Sequence, residues 1–203
     1  VPTPIGNLED ITLRAVRILK EVDLILAEDT RKTGILLNHH GIGNRMLSHH
    51  AFNEHRAAAS VVEKLKGGAT IALVSDAGTP GISDPGNLLI AELVRAGVKD
   101  IEPIPGACAA ITALSISGFP TDKFVFMGFP PHKNKRQKFF KEAAETQHTV
   151  VFYESGHRIK KCLNELKIVL GPTRQIIVCR ELTKIHETIY RGTIEQVMLS
   201  MNE

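Results

Sequence analysis

The sequence predicts an α/β fold made of two α/β domains, and three observations carry that expectation. Short apolar runs, such as Leu24-Ile25-Leu26-Ala27 and Thr70-Ile71-Ala72-Leu73-Val74, alternate with longer stretches of helical period. The second run opens into S-D-A-G-T-P-G-I-S-D-P-G, residues 75–86, a loop at the carboxyl end of a buried strand, which is where open α/β sheets take their ligands. The pattern stops in the turn residues Gly118-Phe119-Pro120-Thr121-Asp122 and then restarts, which divides the chain into domains at 1–120 and 121–203.

The elements follow in order. Residues 1–6 read as the end of a strand running into the turn T-P-I-G-N, after which Asp10 can cap a helix carrying Ala15, Ile18, Leu19 and Val22 on one face. A strand over 24–27 ends in Glu28-Asp29-Thr30-Arg31, four polar residues where a sheet presents them to a ligand; a capped helix start with Asp29 or Thr30 as N-cap accounts for them equally well. A helix over 31–40 ends at Gly41, and a short strand over 45–48 leads into H-H-A-F-N-E-H. The histidines there lack the spacing of known zinc sites, and neighbours on a strand point to opposite faces, so no metal is expected. A helix over 54–66 stops at Gly67-Gly68, and the strand over 70–74 delivers the central loop.

That loop holds three glycines, two prolines before Gly86 and the carboxylates Asp76 and Asp84, but no lysine. A phosphate-cradling G-x-x-x-x-G-K-[ST] is therefore excluded, and no G-x-G-x-x-G occurs. It suits a ligand with cations, hydroxyls and ring nitrogens; the plainer alternative is a structured strand-to-helix turn. After a helix over 87–96, a strand over 101–104 is expected to end in P-G-A-C-A-A, small residues that start a helix through Ser117 and leave room for a ligand against its backbone. Cys108 has no basic neighbour in sequence and reads as a small residue packing near the ligand rather than a nucleophile. In the second domain strands are expected over 124–127, 149–153, 175–179 and near 187–190, with helices over 135–145 and 158–170 and another from Thr193.

Composition narrows the function classes. A length of 203 residues with 43% hydrophobic content supports one large or two small cores. No apolar run is long enough to span a membrane and no signal pattern opens the chain, so neither membrane nor secretion is expected. Cys108, Cys162 and Cys179 lie far apart in apolar surroundings, as reduced thiols of a cytoplasmic protein would. A net charge of +3 is too small to name a nucleic-acid partner, although H-K-N-K-R-Q-K at 132–138 concentrates basic residues. The chain opens at Val1 without a methionine and stops at Glu203 within a helical pattern, so both ends are expected to be trimmed.

Together the motifs resemble one family, the tetrapyrrole methylase superfamily (class III S-adenosylmethionine methyltransferases), in its branch that methylates a ribose 2′-hydroxyl of small-subunit ribosomal RNA. The matching stretches are T-P-I-G-N-L-E-D-I-T-L-R-A, A-E-D-T-R, Asn53-Glu54, the 75–86 loop, P-G-A-C-A-A-I-T-A-L, F-Y-E-S, His157-Arg158 and R-E-L-T-K-I-H-E, which span nearly the whole chain in the family's order. The resemblance implies S-adenosylmethionine as methyl donor, the donor cleft between two α/β domains, and a homodimer. Carried over, it implies donor contacts at Pro4, Ile5, Asp76, Ala77, Gly78, Thr79, Ile82, Cys108, Ala109, Tyr153, Arg180 and Glu181. The chain departs from the pattern at Gly128-Phe129-Pro130-Pro131 and at Gly156, which bears on the shape of the basic loop. The family's final strand after a glycine-lysine turn, and a further C-terminal extension, have no counterpart in 1–203, so the second domain is expected to be incomplete at that end.

Such an enzyme needs no metal, because the sulfonium already activates the methyl group; it needs alignment and a base near the hydroxyl proton. Asp29 and Glu54 are the candidate bases, with Arg31 and Asn53 orienting the ribose or its phosphate; both carboxylates could equally be caps and ion-pair partners. Lys133, Lys135, Arg136, Lys138 and Arg158 are the candidate phosphate contacts on ribosomal RNA or the small subunit, against the alternative of a solvated basic face. Two other functions stay open at this point: methylation of a porphyrinoid, and a non-catalytic module that binds a nucleotide or RNA. A nicotinamide-dependent oxidoreductase is disfavoured by the missing glycine fingerprint.

Overall fold

The computed structural model describes residues 1–50 and 54–201, leaving aside the side chains of residues 54–57. The chain forms two compact units, Val1–Cys108 and Ala109–Glu203. In the first, β1 (Leu24–Ala27), β2 (Met46–Ser48) and β3 (Ile71–Val74) make a parallel sheet in the order β2-β1-β3. Helix α1 (Leu13–Glu21) precedes β1, α2 (Thr30–His39) and α3 (Glu54–Lys66) connect the strands in turn, and α4 (Asn87–Arg95) follows β3.

Strand β1 is buried at every position, which explains its unbroken apolar sequence: its alternate side chains serve two cores. Ile25 and Ala27 pack with Ala72 and Val74 against Leu19 of α1 and Leu37 of α2. Leu24 and Leu26, on the other face, pack with Ala58 and Val61 of α3 and Leu89 and Leu93 of α4. A sheet covered on both faces exposes only its edges and strand ends, so its carboxyl end is left for function.

Two expected strands are absent, for one reason. Over residues 1–6 the one β-bridge among the described residues is the two-way bridge of Thr3 to Gly78, with both N–H···O distances at 3.0 Å; the Val1 amino group also donates to the Leu73 carbonyl at 2.8 Å, but Pro2 and Pro4 have no N–H to extend a ladder. Residues 101–104 are likewise irregular, flanked and interrupted by Pro103 and Pro105, although Ile104 is buried. The cap of α1 also differs from expectation. Thr12 accepts from the Ala15 N–H, while Asp10 ends a separate 3-10 turn, Leu8–Asp10, capped by Asn7.

The second unit holds α5 (Ala109–Ser115), the parallel pair β4 (Phe124–Phe126) and β5 (Thr149–Val151), the helices α6 (Arg136–Glu145) and α7 (Ile159–Leu170), the antiparallel pair β6 (Gln175–Arg180) and β7 (Thr188–Thr193), and α8 (Ile194–Ser200). Phe139, Phe140, Cys162, Leu163, Leu166, Ile194 and Val197 from α6, α7 and α8 form its core. A capping box between Thr193 and Gln196 starts α8 where the sequence places a helix start. Among the described residues no helix is long and apolar enough to cross a membrane.

Candidate functional site

In the first unit the carboxyl ends of β1 and β3 meet. The Asp29 N–H donates to Asp76 Oδ1 at 2.9 Å, and Lys32 Nζ, from the first turn of α2, donates to Asp76 Oδ2 at 2.6 Å. Asp29 is the N-cap of α2: its Oδ1 accepts from the Arg31 N–H (2.9 Å) and from Arg31 Nε (3.0 Å), and its Oδ2 from Arg31 Nη2 (2.7 Å). The Arg31 side chain beside it, with its backbone N–H, holds the Asp29 carboxyl well below the usual carboxylate range. Arg31 is itself 89% exposed, so the pair presents a guanidinium to solvent at the sheet's ligand end. Glu54 begins α3, on the connection leaving β2, and its side chain lies outside those described; Asn53 lies outside the described residues.

The central loop wraps over the N-terminal segment. Gly78, at φ +86°, faces Ile5 closely enough that a Cβ would stand 3.3 Å from Ile5 Cγ2 and 3.5 Å from the Ala107 carbonyl oxygen. Thr3 Oγ1 donates to the Ser75 carbonyl, and Thr79 Oγ1 to that of Ala107, both at 3.0 Å. Pro4 and Ile5, residues 76–79 and the half-buried Cys108 are thereby gathered at one place, while Ile82 is exposed on the outer part of the loop.

Asp84 was noted in the sequence as a second rim carboxylate; the structure shows what its position does. Burial, with Glu28 and Asp76 nearby, pushes its carboxyl up from 3.8 to about 6. The folded chain therefore binds this proton more tightly than the unfolded chain, so stability falls as pH rises from about 4 to about 6, and the penalty is complete above that. Asp84→Asn is expected to melt higher than wild type at pH 7 and to match it near pH 4, in thermal melts across that range. A melting difference that does not change with pH would show that Asp84 does not titrate there.

In the second unit Tyr153 sits at the end of β5. Its hydroxyl accepts from the Ala110 N–H at the start of α5 (3.2 Å), and its ring packs near Phe126 and Phe129 at centroid distances of 5.0 and 5.3 Å. Arg180 and Glu181 are exposed where β6 ends, in a loop with two left-handed residues, Glu181 and Thr183.

The sequence model of the tetrapyrrole (corrin/porphyrin) methylases matches residues 1–198. The chain belongs to this family. It is 48% identical to the ribosomal RNA small subunit methyltransferase I of Escherichia coli O157:H7, over 100% of this chain and 71% of that protein. The protein of that name from Thermotoga maritima is 42% identical, over 98% of this chain and 88% of its own length. Of solved structures, a cobalt precorrin-4 methyltransferase superimposes with a TM-score of 0.71 at 18% identity, over 100% of this chain and 87% of that one. A uroporphyrin-III C-methyltransferase from Thermus thermophilus gives 0.65 at 19% identity, over 95% of this chain and 83% of that one. These two show the fold.

As a tetrapyrrole methylase the chain has its basic residues arranged differently from what the run at 132–138 suggests. Arg136 is a correction: its side chain is only 5% exposed, bonded through Nη2 to Glu154 Oε2 (3.0 Å), through Nε to Glu165 Oε2 (2.7 Å) and through Nη1 to the Pro131 carbonyl (3.1 Å), so it has no face for a phosphate. Arg158 is mostly buried too, on Glu154 Oε1 at 2.8 Å and Ser155 Oγ at 2.9 Å. Lys133, Lys135 and Lys138 are exposed. Lys32 was missed, although its place in A-E-D-T-R-K, one residue after the candidate Arg31, could have suggested it.

Proposed function

We propose that the protein transfers the methyl group of S-adenosylmethionine to a ribose 2′-hydroxyl of small-subunit ribosomal RNA, as a homodimer in the cytoplasm. One observation carries the choice of substrate: relatives that bear the ribosomal RNA methyltransferase name are 42–53% identical over 93–100% of this chain. The cobalamin and uroporphyrin enzymes that share the fold are 17–19% identical.

The residues present fit the donor. The central loop has no lysine of its own and brings Asp76 and Asp84 near Glu28; Lys32 pairs with Asp76, and burial together with Glu28 raises the Asp84 carboxyl, so the rim suits a ligand with cationic and hydroxyl groups better than a polyphosphate. The left-handed Gly78 lets the loop close on Ile5 and the Ala107 carbonyl, which brings the expected donor contacts of the first unit together. Pro4, Ile5, Asp76 to Thr79, Ile82 and Cys108 would hold it in the first unit, and Ala109, Tyr153, Arg180 and Glu181 in the second. When bound, the sulfonium supplies an activated methyl group.

The ribose proton needs an acceptor. A carboxylate held down as strongly as Asp29 is a weak base, and its oxygens are already occupied by Arg31. Asp29 therefore holds the Arg31 guanidinium at the rim for the RNA strand, with Asn53 beside the ribose, and Glu54 takes the proton. In single-turnover assays with purified small subunits and saturating donor, Glu54→Gln is expected to slow transfer by about 10²-fold. Asp29→Asn should cost no more than Arg31→Ala, and the double variant no more than either, because the two act as a pair. A collapsed rate for Asp29→Asn with a normal rate for Arg31→Ala would return the base to Asp29. Transfer to a porphyrinoid but not to ribosomal RNA would overturn the reading, and unchanged donor after long incubation with both would indicate a binding module.

A further inference from the structure

The basic run at 132–138 is less a flat charged face than one wall of a hollow. A cavity of about 540 Å³ lies between this segment and α7, lined by His132, Lys133, Lys135, Arg136, Gln137, Lys138, Lys161 and Glu165. Arg136 and the carboxylate on this wall, Glu165, neutralise one another at 2.7 Å. That leaves Lys133, Lys135, Lys138 and Lys161, none of them in an ion pair among the described residues. Four ammonium groups around one hollow repel one another, and a space of that size accommodates a phosphate group together with part of its ribose.

The helices add to the same sign. Helix α6 has ten residues; its N-cap is Lys135 in a left-handed conformation, φ +66°, with no side-chain cap and no acidic residue in the first turn. Helix α7, of twelve residues, also begins without a side-chain cap or an acidic residue, and carries Lys161 in its first turn. Cations at a helix N-terminus oppose the macrodipole, where carboxylates or an anion would be favoured. The uncapped N-terminus of α6 and four lysines at one hollow form an arrangement that an oxyanion would relieve. Arg136 acts behind it. By tying the Pro131 carbonyl to Glu154 at the end of β5 and to Glu165 on α7, it fixes the segment that carries Lys133 and Lys135 against the helix that carries Lys161.

We infer that this hollow is a phosphate-binding site for the RNA strand, with Lys133, Lys135, Lys138 and Lys161 holding the phosphate oxygens and Arg136 positioning the segment without touching the anion. The inference rests on the ribosomal RNA reading above. It assigns Lys161, which lies outside the sequence's basic run, and withdraws Arg136 from contact.

The test uses the full chain with S-adenosylmethionine and purified small subunits, comparing wild type with Lys161→Ala, Lys138→Ala and, as control, Lys141→Ala, an exposed lysine on α6 that does not line the hollow. Lys161→Ala and Lys138→Ala are each expected to weaken subunit binding several-fold and to lower the slope of log affinity against log salt by roughly 0.7–0.9. Lys141→Ala should leave both unchanged, and donor affinity should be the same in all four proteins. An unaltered slope for Lys161→Ala, in a protein that still methylates ribosomal RNA, would overturn the phosphate site while leaving the function standing. A wild type that methylates no ribosomal RNA would instead overturn the function. Titration with inorganic pyrophosphate separates the sources of phosphate: displacement of the subunit by pyrophosphate in wild type but not in Lys161→Ala supports the site. Pyrophosphate binding that depends on Lys161 yet leaves subunit affinity untouched would assign the hollow to a free phosphate compound and overturn its RNA role.

Discussion

Gly78→Val is expected to abolish S-adenosylmethionine binding, raising the dissociation constant by about 10²-fold or more, equivalent to roughly 2.7 kcal/mol. Gly78 sits at φ +86°, where a β-branched residue is strained by about 1–3 kcal/mol, and its new Cβ would stand 3.3 Å from Ile5 Cγ2. The strain falls on the residue whose N–H and carbonyl hold Thr3, so the loop and the Pro4-Ile5 segment should shift together. Some loss of stability will accompany this, and the titration calorimetry must therefore be done well below the variant's melting temperature. Helical content by circular dichroism identifies the folded protein. A folded Gly78→Val protein that binds donor as tightly as wild type would remove the central loop from the donor site.

Arg136→Ala should be the most destabilising change in the second unit, by about 3–5 kcal/mol in urea denaturation, because it strips a buried carboxylate of one of its two arginine partners. The Glu154 side chain is 2% exposed and takes Arg136 on one oxygen and Arg158 on the other. Equal stability of Arg136→Ala and wild type would mean that the Arg136–Glu154–Arg158 cluster contributes nothing to the fold.

Arg136 shows where local sequence pattern stops being informative. In H-K-N-K-R-Q-K every cation looks alike, and nothing local distinguishes Arg136 from Lys135. The distinction comes from the helical period of α6, which turns position 136 inward with Phe139 and Phe140, and from carboxylates 18 and 29 residues away. Asp29 is a similar case. Its capping of α2 was one of two readings the sequence allowed; the grip of Arg31 on both oxygens, which lowers its basicity, needed the side-chain geometry.

What the sequence determined by itself was the α/β class, the strand-to-loop motif at 75–86, and the helices and strands whose period is strong, because those depend on neighbours within one or two turns of chain. It overestimated pairing at residues 1–6 and 101–104, where apolar content suggested strands but the prolines removed the donors. Only the tertiary structure decided which charges stay in solvent and which are consumed in ion pairs, and that the T-P-I-G-N turn, the central loop and the P-G-A-C segment lie against one another. Those outcomes rest on contacts between residues tens of positions apart, such as Thr3 with Gly78 and Thr79 with Ala107, and local periodicity carries no information about them.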